Sequence, residues 1–264
     1  MAGANFPFDL EGQVAIVTGG GTGIGAATTR LLAGFGADVV ISSRKLDNLE
    51  PVAAEVGSET GREIVAVQGD VREEESCQAI VEATIDRLGR VDILVNNAGG
   101  SYMFPFLETG VDRFDNNVAL NLRGPFALTQ GVAPHMIRQG GGAIVNISSS
   151  AGVSGVRGGS VYSAAKAGLQ MLTQVVAAEL GPKGIRCNAI AVGGVASEGA
   201  LRAWERFGES AESMGGRVPL RRVGQPEDIA WGVFYFVSGM SSWVSGETLS
   251  IAGGPTMGGI AEQD

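Results

Sequence analysis

Short apolar runs alternate with longer helical patterns along almost the whole chain, and this alternation fixes the fold class. Val14–Thr18, Val39–Ile41, Ile64–Gln68, Ile93–Val95, Ala143–Ile147, Arg186–Ile190 and Thr248–Ile251 read as strands. Several lack polar alternation, as strands do when helices cover both faces of a parallel sheet. Helical patterns lie between them, near 23–35, 45–57, 73–88, 112–139, 160–181 and 226–238. The βαβαβ order predicts an α/β chain with a doubly wound parallel sheet of about seven strands, which binds ligands at the carboxyl ends of its strands. No Pro/Ser-rich linker, charge block or internal repeat divides the 264 residues. With 44% hydrophobic and only 18% charged residues, a sizeable core is available and disorder is excluded.

Residues 160–181 carry only Lys166 and Glu179 as charges. A helix apolar on nearly every face is buried on nearly every face, and a sheet covers only one of them. The other face is expected to meet a partner subunit.

VAIVTGGGTGIGAATTRLL sets glycines between an apolar strand and a helix. Gly19, Gly23 and Gly25 fit T-G-x-x-x-G-x-G, and Gly21, Gly23 and Ala26 fit the looser G-x-G-x-x-A. Such glycines permit a tight turn and close approach of backbone to a pyrophosphate, which then meets the N–H groups and positive dipole of the helix start. In a chain with 42 glycines the motif alone is weak; its place between strand and helix gives it weight. The net charge of −9 argues against general affinity for nucleic acid or anionic membrane while leaving room for a locally basic site. Cys77 and Cys187 have no metal-ligand spacing and read as buried small hydrophobes of a reduced compartment, which is expected to be cytoplasmic. MAGANFPFDL has neither the basic nor the apolar region of a signal peptide, and no apolar run is long enough to span a bilayer.

Tyr162 and Lys166 are four residues apart in a helical segment, hence on one face. A free tyrosine has a pKa of roughly 10. A nearby ammonium favours its phenolate, which makes the pair an acid/base unit for a carbonyl or an alcohol. The strand GAIVNISSS ends in Ser148, Ser149 and Ser150, where a hydroxyl can hydrogen-bond a substrate oxygen as charge develops. Asn121 is placed either to polarise a water or to hold a helix irregularity open.

Taken together, TGGGTGIG, Asp70-Val71, NNAG at 96–99, Asn121, the serine run and YSAAK resemble the short-chain dehydrogenase/reductase family from Val14 to about Gly254. The resemblance implies a single Rossmann-type domain across residues 1–264, with a substrate lid at about 194–222, in a homodimer or homotetramer built partly through two long central helices. It makes Tyr162 the acid/base, Lys166 its activator and a holder of the nicotinamide ribose, and Ser149 the substrate-oxygen serine with Ser148 and Ser150 as rivals. Asn121 becomes the fourth member, supporting a proton relay. Gly19, Gly21, Thr22, Gly23, Ile24 and Gly25 would hold the cofactor, with Asp70-Val71 at the adenine and Asn97-Ala98-Gly99 lining it. No metal is implied. Two segments depart from the family. P-G-x-V/I-x-T appears as VGGVAS, leaving Val195 and Ser197 to meet the nicotinamide amide, and the usual D-G-G appears as Ala252-Gly253-Gly254.

After the second strand, where a chain that prefers NAD usually offers an acid to the ribose, this one offers Ser42, Ser43, Arg44 and Lys45. A hydroxyl and a guanidinium suit a 2′-phosphate, so NADP(H) is expected over NAD(H). Thr22 adds no second base. SYMFPFLETG (101–110) brings an apolar wall to the substrate, and the segment 197–222 brings Arg202, Arg206, Arg217, Arg221 and Arg222, cations able to meet an anionic tail. SRKLDNL, NNAGG and SEGA are also similar to the branch reducing enoyl- and dienoyl-CoA thioesters, whose mitochondrial members depart from the Tyr motif kept here. The leading expectation is a carbonyl reductase or alcohol dehydrogenase. The alternatives are an enoyl- or 2,4-dienoyl-CoA reductase and, remotely, an idle NADP-binding regulatory protein.

Overall fold

The computed structural model describes residues 8–100, 103–206 and 208–255. The start of MAGANFPFDL, Ser101 and Tyr102 of SYMFPFLETG, and Phe207 within the lid lie outside the described residues. Strands β1 (Val14–Thr18), β2 (Asp38–Ser43), β3 (Ile64–Gln68), β4 (Ile93–Asn96), β5 (Gly142–Ser149), β6 (Ile185–Val192) and β7 (Thr248–Ile251) form one sheet in the order β3-β2-β1-β4-β5-β6-β7. Every pairing is parallel. The chain winds outward from β1 to β3, then from β4 in the opposite direction. Its reversal between β1 and β4 opens a crevice at their carboxyl ends, the binding position of a Rossmann-type fold.

Helices α1 (Gly23–Gly34), α2 (Glu50–Thr60), α3 (Glu74–Leu88), α4 (Val111–Val118), α5 (Gly124–Gln139), α6 (Ser160–Leu180), α7 (Glu198–Arg206), α8 (Ala211–Gly216) and α9 (Pro226–Val237) complete the described elements. The period-two geometry of the strands divides the core. Ala15, Val17, Val39 and Ile41 pack with Leu32, Val233 and Phe234 on the side of α1 and α9. Ile16 and Val40 pack with Ile80, Leu128, Val132 and Ile144 on the side of α3 and α5. Both faces are therefore dry, which is why the strands read as unbroken apolar runs. Cys77 and Cys187 are free and buried. Burial pushes their thiols up to about 11 and about 12, which disfavours the thiolate at neutral pH.

Several boundaries differ from the sequence reading. The helix expected over 45–57 is a 3-10 turn at Leu46–Asn48 followed by α2, which starts at Glu50 because Pro51 fits a first helical turn and nowhere deeper. The single helix expected over 112–139 is α4, a π-helical turn at Ala119–Arg123, and α5. The segment 194–222 contains α7 and α8; Val195 bridges Gly224, and Leu220 N donates to the Gly253 carbonyl at 3.0 Å. In α6, Val161, Ala165, Lys166, Leu169 and Thr173 are buried, while Met171 is 58% and Val175 45% exposed. One chain alone does not enclose this helix. Among the described residues, no helix is long and apolar enough to cross a membrane, and no three His, Cys, Asp or Glu side chains are grouped to hold a metal ion.

Candidate active site

The site is assembled where β1, β4 and β5 end. Gly19 (φ +66°) and Gly23 (φ +50°) take the left-handed conformation that turns the chain from β1 into α1. Thr18 Oγ1 accepts from the backbone N–H groups of Asn97 (3.0 Å) and Ala98 (2.9 Å), and Asn97 Nδ2 donates to the Thr18 carbonyl at 2.8 Å. These bonds clamp the NNAG loop against the glycine turn. A Cβ on Gly19 would lie 2.9 Å from Asn97 Nδ2. Gly21 and Gly25 face backbone in the same way, the first against the Asn48 carbonyl and the second against that of Gly19. Thr22 caps α1 without a side-chain bond, and no acid stands in the first turn. The donors and dipole of that helix start are thus left to an anionic ligand, so the cradle fits a dinucleotide pyrophosphate.

The three serines have separate fates because β5 alternates. Ser148 is buried; its Oγ donates to the Lys166 carbonyl (3.1 Å) and accepts from Gln170 Nε2 (3.0 Å). Ser149 accepts from Ala151 N at 3.1 Å and lines the same cavity as Tyr162. Ser150 begins the following 3-10 turn and faces a separate depression beside Gly193. Burial raises the Tyr162 hydroxyl above its ordinary pKa, and the Ser149 side chain opposes that rise. Lys166, 4% exposed, donates to the Ile147 carbonyl at 2.7 Å and lies 5.8 Å from the Tyr162 ring centroid. Loss of water pushes its ammonium down to about 8.

Asn121 sits in the π-helical turn. Its Nδ2 donates to the carbonyls of Asn117 (3.1 Å) and Gly100 (3.1 Å), and its Oδ1 accepts from Gly100 N at 3.2 Å. A helix irregularity held by Asn121 is thus what the structure contains. Gly99 marks where the groups converge, since a Cβ there would lie 3.0 Å from Asn121 Oδ1 and 3.3 Å from Lys166 Nζ.

A cavity of about 360 Å³ joins Gly19, Thr22, Gly23, Ile24, Asn97, Ala98, Gly99, Ser148, Ser149, Tyr162, Lys166, Ser197 and Arg202. The other expected residues are elsewhere. Val195 is buried beneath its bridge to Gly224, and Val192 and Gly193 take the wall position expected of it. Ser43, Arg44, Lys45, Asp70 and Val71 lie off the cavity, after β2 and β3. Ser43 Oγ donates to the Lys45 carbonyl (2.9 Å), while Arg44 and Lys45 are exposed without a side-chain hydrogen bond or ion pair among the described residues. Arg72 grips the Asp70 carboxylate through Nε (3.0 Å) and reaches Asn116 Oδ1 (2.6 Å). With the charge of Arg44 as a smaller contributor, this bond holds the Asp70 carboxyl below the usual range. Sequence reasoning missed Gly100 and Ile147 on the cavity wall, while Glu198 and Gly199 belong to the segment 197–222 expected beside the substrate. Strand alternation from Ser149 points to Ile147. From SYMFPFLETG, Met103 to Gly110 stay off the cavity, and Phe106 and Leu107 are 75% and 96% exposed.

Residues 13–206 match the short chain dehydrogenase family. The chain belongs to that family. This short-chain dehydrogenase is 37% identical over 245 residues to a 3-oxoacyl-acyl-carrier-protein reductase of Thermotoga maritima, covering 93% of this chain and 98% of that one. It is 36% identical over 248 residues to a peroxisomal 2,4-dienoyl-CoA reductase of Danio rerio, covering 93% and 82%. Among solved structures it superposes on a 7α-hydroxysteroid dehydrogenase in complex with NADH and 7-oxo glycochenodeoxycholic acid, with a TM-score of 0.87, 36% identity and coverage of 94% and 96%.

Proposed function

We propose that this short-chain dehydrogenase reduces a carbonyl, or oxidises the matching alcohol, with NADP(H). The observation that carries the reading is the one cavity shared by the glycine turn, Ser149, Tyr162 and Lys166. When bound, the cofactor supplies or takes up the hydride at the carbon. The Tyr162 hydroxyl gives its proton to the carbonyl oxygen, and the Ser149 hydroxyl holds that oxygen as it becomes negative. The Lys166 ammonium favours the phenolate left on Tyr162. Asn121 fixes the backbone at Gly100, just after NNAG. At the adenosine end, Ser43 and Arg44 favour the 2′-phosphate, with Lys45 beside them; Asp70 and Val71 border the adenine. Ser197 meets the nicotinamide end. The exposed face of α6 pairs two chains into a homodimer or half of a homotetramer, and the reduced thiols fit a cytoplasmic setting.

Reduction of an enoyl- or 2,4-dienoyl-CoA is the second reading, favoured by the similarity to the peroxisomal dienoyl-CoA reductase. NADPH oxidation followed with ketones, 3-ketoacyl thioesters and 2-enoyl- or 2,4-dienoyl-CoA separates the two. The proposal expects ketone or ketoacyl turnover that falls at least about a thousandfold in Tyr162→Phe with NADPH binding retained. Full activity in that variant removes Tyr162 from the mechanism. Turnover of the unsaturated thioesters alone selects the second reading, and NADPH binding without any turnover favours a regulatory protein.

A further inference from the structure

Part of the cavity wall is supplied by α7 through Glu198, Gly199 and Arg202, and this helix is lightly attached. No residue of α7 is buried, Leu201 is 41% exposed, and the ring edge of Trp204 lies 3.7 Å from where a Cβ on Gly194 would be. Its start is held by Ser197, whose Oγ accepts from Ala200 N at 3.3 Å. From this helix Arg202 lines the same cavity as Ser149, Tyr162 and Lys166. Its ion pair with Glu198 spans 3.5 Å between side chains that are 66% and 68% exposed, a weak i,i+4 contact.

The other lid arginines are committed or remote. Arg217 pairs with Glu209 at 2.7 Å, Arg222 with Asp228 at 2.6 Å, and Arg221 donates to the Gly216 carbonyl at 3.0 Å. Arg206 does not line the cavity. Lys166, the remaining cation there, is sunk against the Ile147 carbonyl and belongs to the proton chemistry. The cofactor's pyrophosphate already has the glycine turn and the start of α1. One exposed guanidinium therefore stands over the cavity without a task in the chemistry.

We infer that Arg202 is a specificity residue that pairs with an anionic group, carboxylate or phosphate, on the substrate, and that this bond draws α7 over the cavity. The inference rests on the reductase reading for its site. Arginine suits the role because its planar fork meets either anion with two parallel bonds. A helix that buries so little gains its closing energy from that contact, so closure depends on the correct substrate.

The test compares charged and neutral partners of one ketone. One arm pairs keto acids, with the carboxylate two to six carbons from the ketone, with their methyl esters. The other pairs acetoacetyl-CoA with acetoacetyl-N-acetylcysteamine, which lacks the phosphates. In at least one arm the charged member is expected to have a kcat/KM ten- to a hundredfold higher, and Arg202→Gln to bring the ratio to within threefold. Arg202→Lys keeps part of it, and the responding arm identifies the anion. Equal loss on both members, a ratio near one in both arms of the wild type, or a raised KM for NADPH with the ratio intact overturns the inference. Should no carbonyl be turned over, the function reading has failed and the inference is still read by binding. The same charged ligands, with NADPH present, are expected to change the fluorescence of Trp204 in wild type and not in Arg202→Gln, with Trp204→Phe as the signal control. An unchanged signal in wild type overturns it.

Discussion

At the scale of single residues, Lys166 is the most exacting position. Its ammonium is buried and holds its proton only up to about pH 8, against roughly 10.4 in an unfolded chain. Below about pH 8 both states are protonated, and the folded state bears the whole cost of the buried charge. Between the two values the unfolded chain keeps a proton that the folded chain has shed, so stability contributed at this site rises with pH. Denaturant titrations should therefore show wild type gaining roughly 2 kcal/mol relative to Lys166→Met between about pH 7 and pH 9.5. A constant difference would mean that the ammonium is better solvated than its burial implies. Arg44 is the corresponding test at the cofactor's far end: Arg44→Ala should raise the KM for NADPH about tenfold or more while the KM for NADH changes less than twofold. Tyr162 and Lys166 were legible in the sequence because i,i+4 spacing puts two residues on one helix face. Only the family resemblance set Ser149 above Ser148 and Ser150, and the grip of Arg72 on Asp70 had no sequence signal because it depends on how a loop turns back on itself.

At the scale of elements, Asn121 ties a helix defect to the site. The π-helical turn displaces the helix ladder by one residue, and the Asn121 amide bonds the Asn117 carbonyl while also fixing Gly100. Asn121→Ala leaves buried polar groups without partners, at a cost of about 1–3 kcal/mol. It also loosens the loop that carries Gly99 between Asn121 and Lys166. A lower melting temperature and at least a tenfold drop in kcat are expected together, measured by thermal unfolding and steady-state kinetics. The sequence pattern 112–139 read as one helix because a π-turn barely disturbs apolar periodicity. It is visible only as an asparagine in an otherwise well-formed helix. The strand runs, by contrast, were legible in number and place, since burial on both faces keeps their centres apolar, while β2, β5 and β6 run one or two residues further at each end than their apolar stretches.

At the scale of the whole molecule, the exposed stripe of α6 (Ala164, Ala167, Met171, Val175 and Ala178) bears on assembly. Replacing Met171 and Val175 together by glutamate should shift the particle to monomer in sedimentation velocity, with the far-UV spectrum retained. An unchanged sedimentation coefficient would place the interface elsewhere. The doubly wound order was legible from the alternation alone; the helices α7 and α8 were not, because they span only nine and six residues. Their segment nonetheless has a firm neck. Ala196 N donates to the Gly224 carbonyl at 2.8 Å, and Gly224 N to that of Gly194 at 2.8 Å. The closing of the loop is thus secured at its base, whatever its contents. Its second half is fastened as well, by Leu220 N to the Gly253 carbonyl at 3.0 Å and by Arg222 to Asp228 at 2.6 Å. The freedom is therefore concentrated in the stretch around α7, where changes leave β5 and α6 in register, so a lineage built on this frame can revise what it admits without relearning how to react.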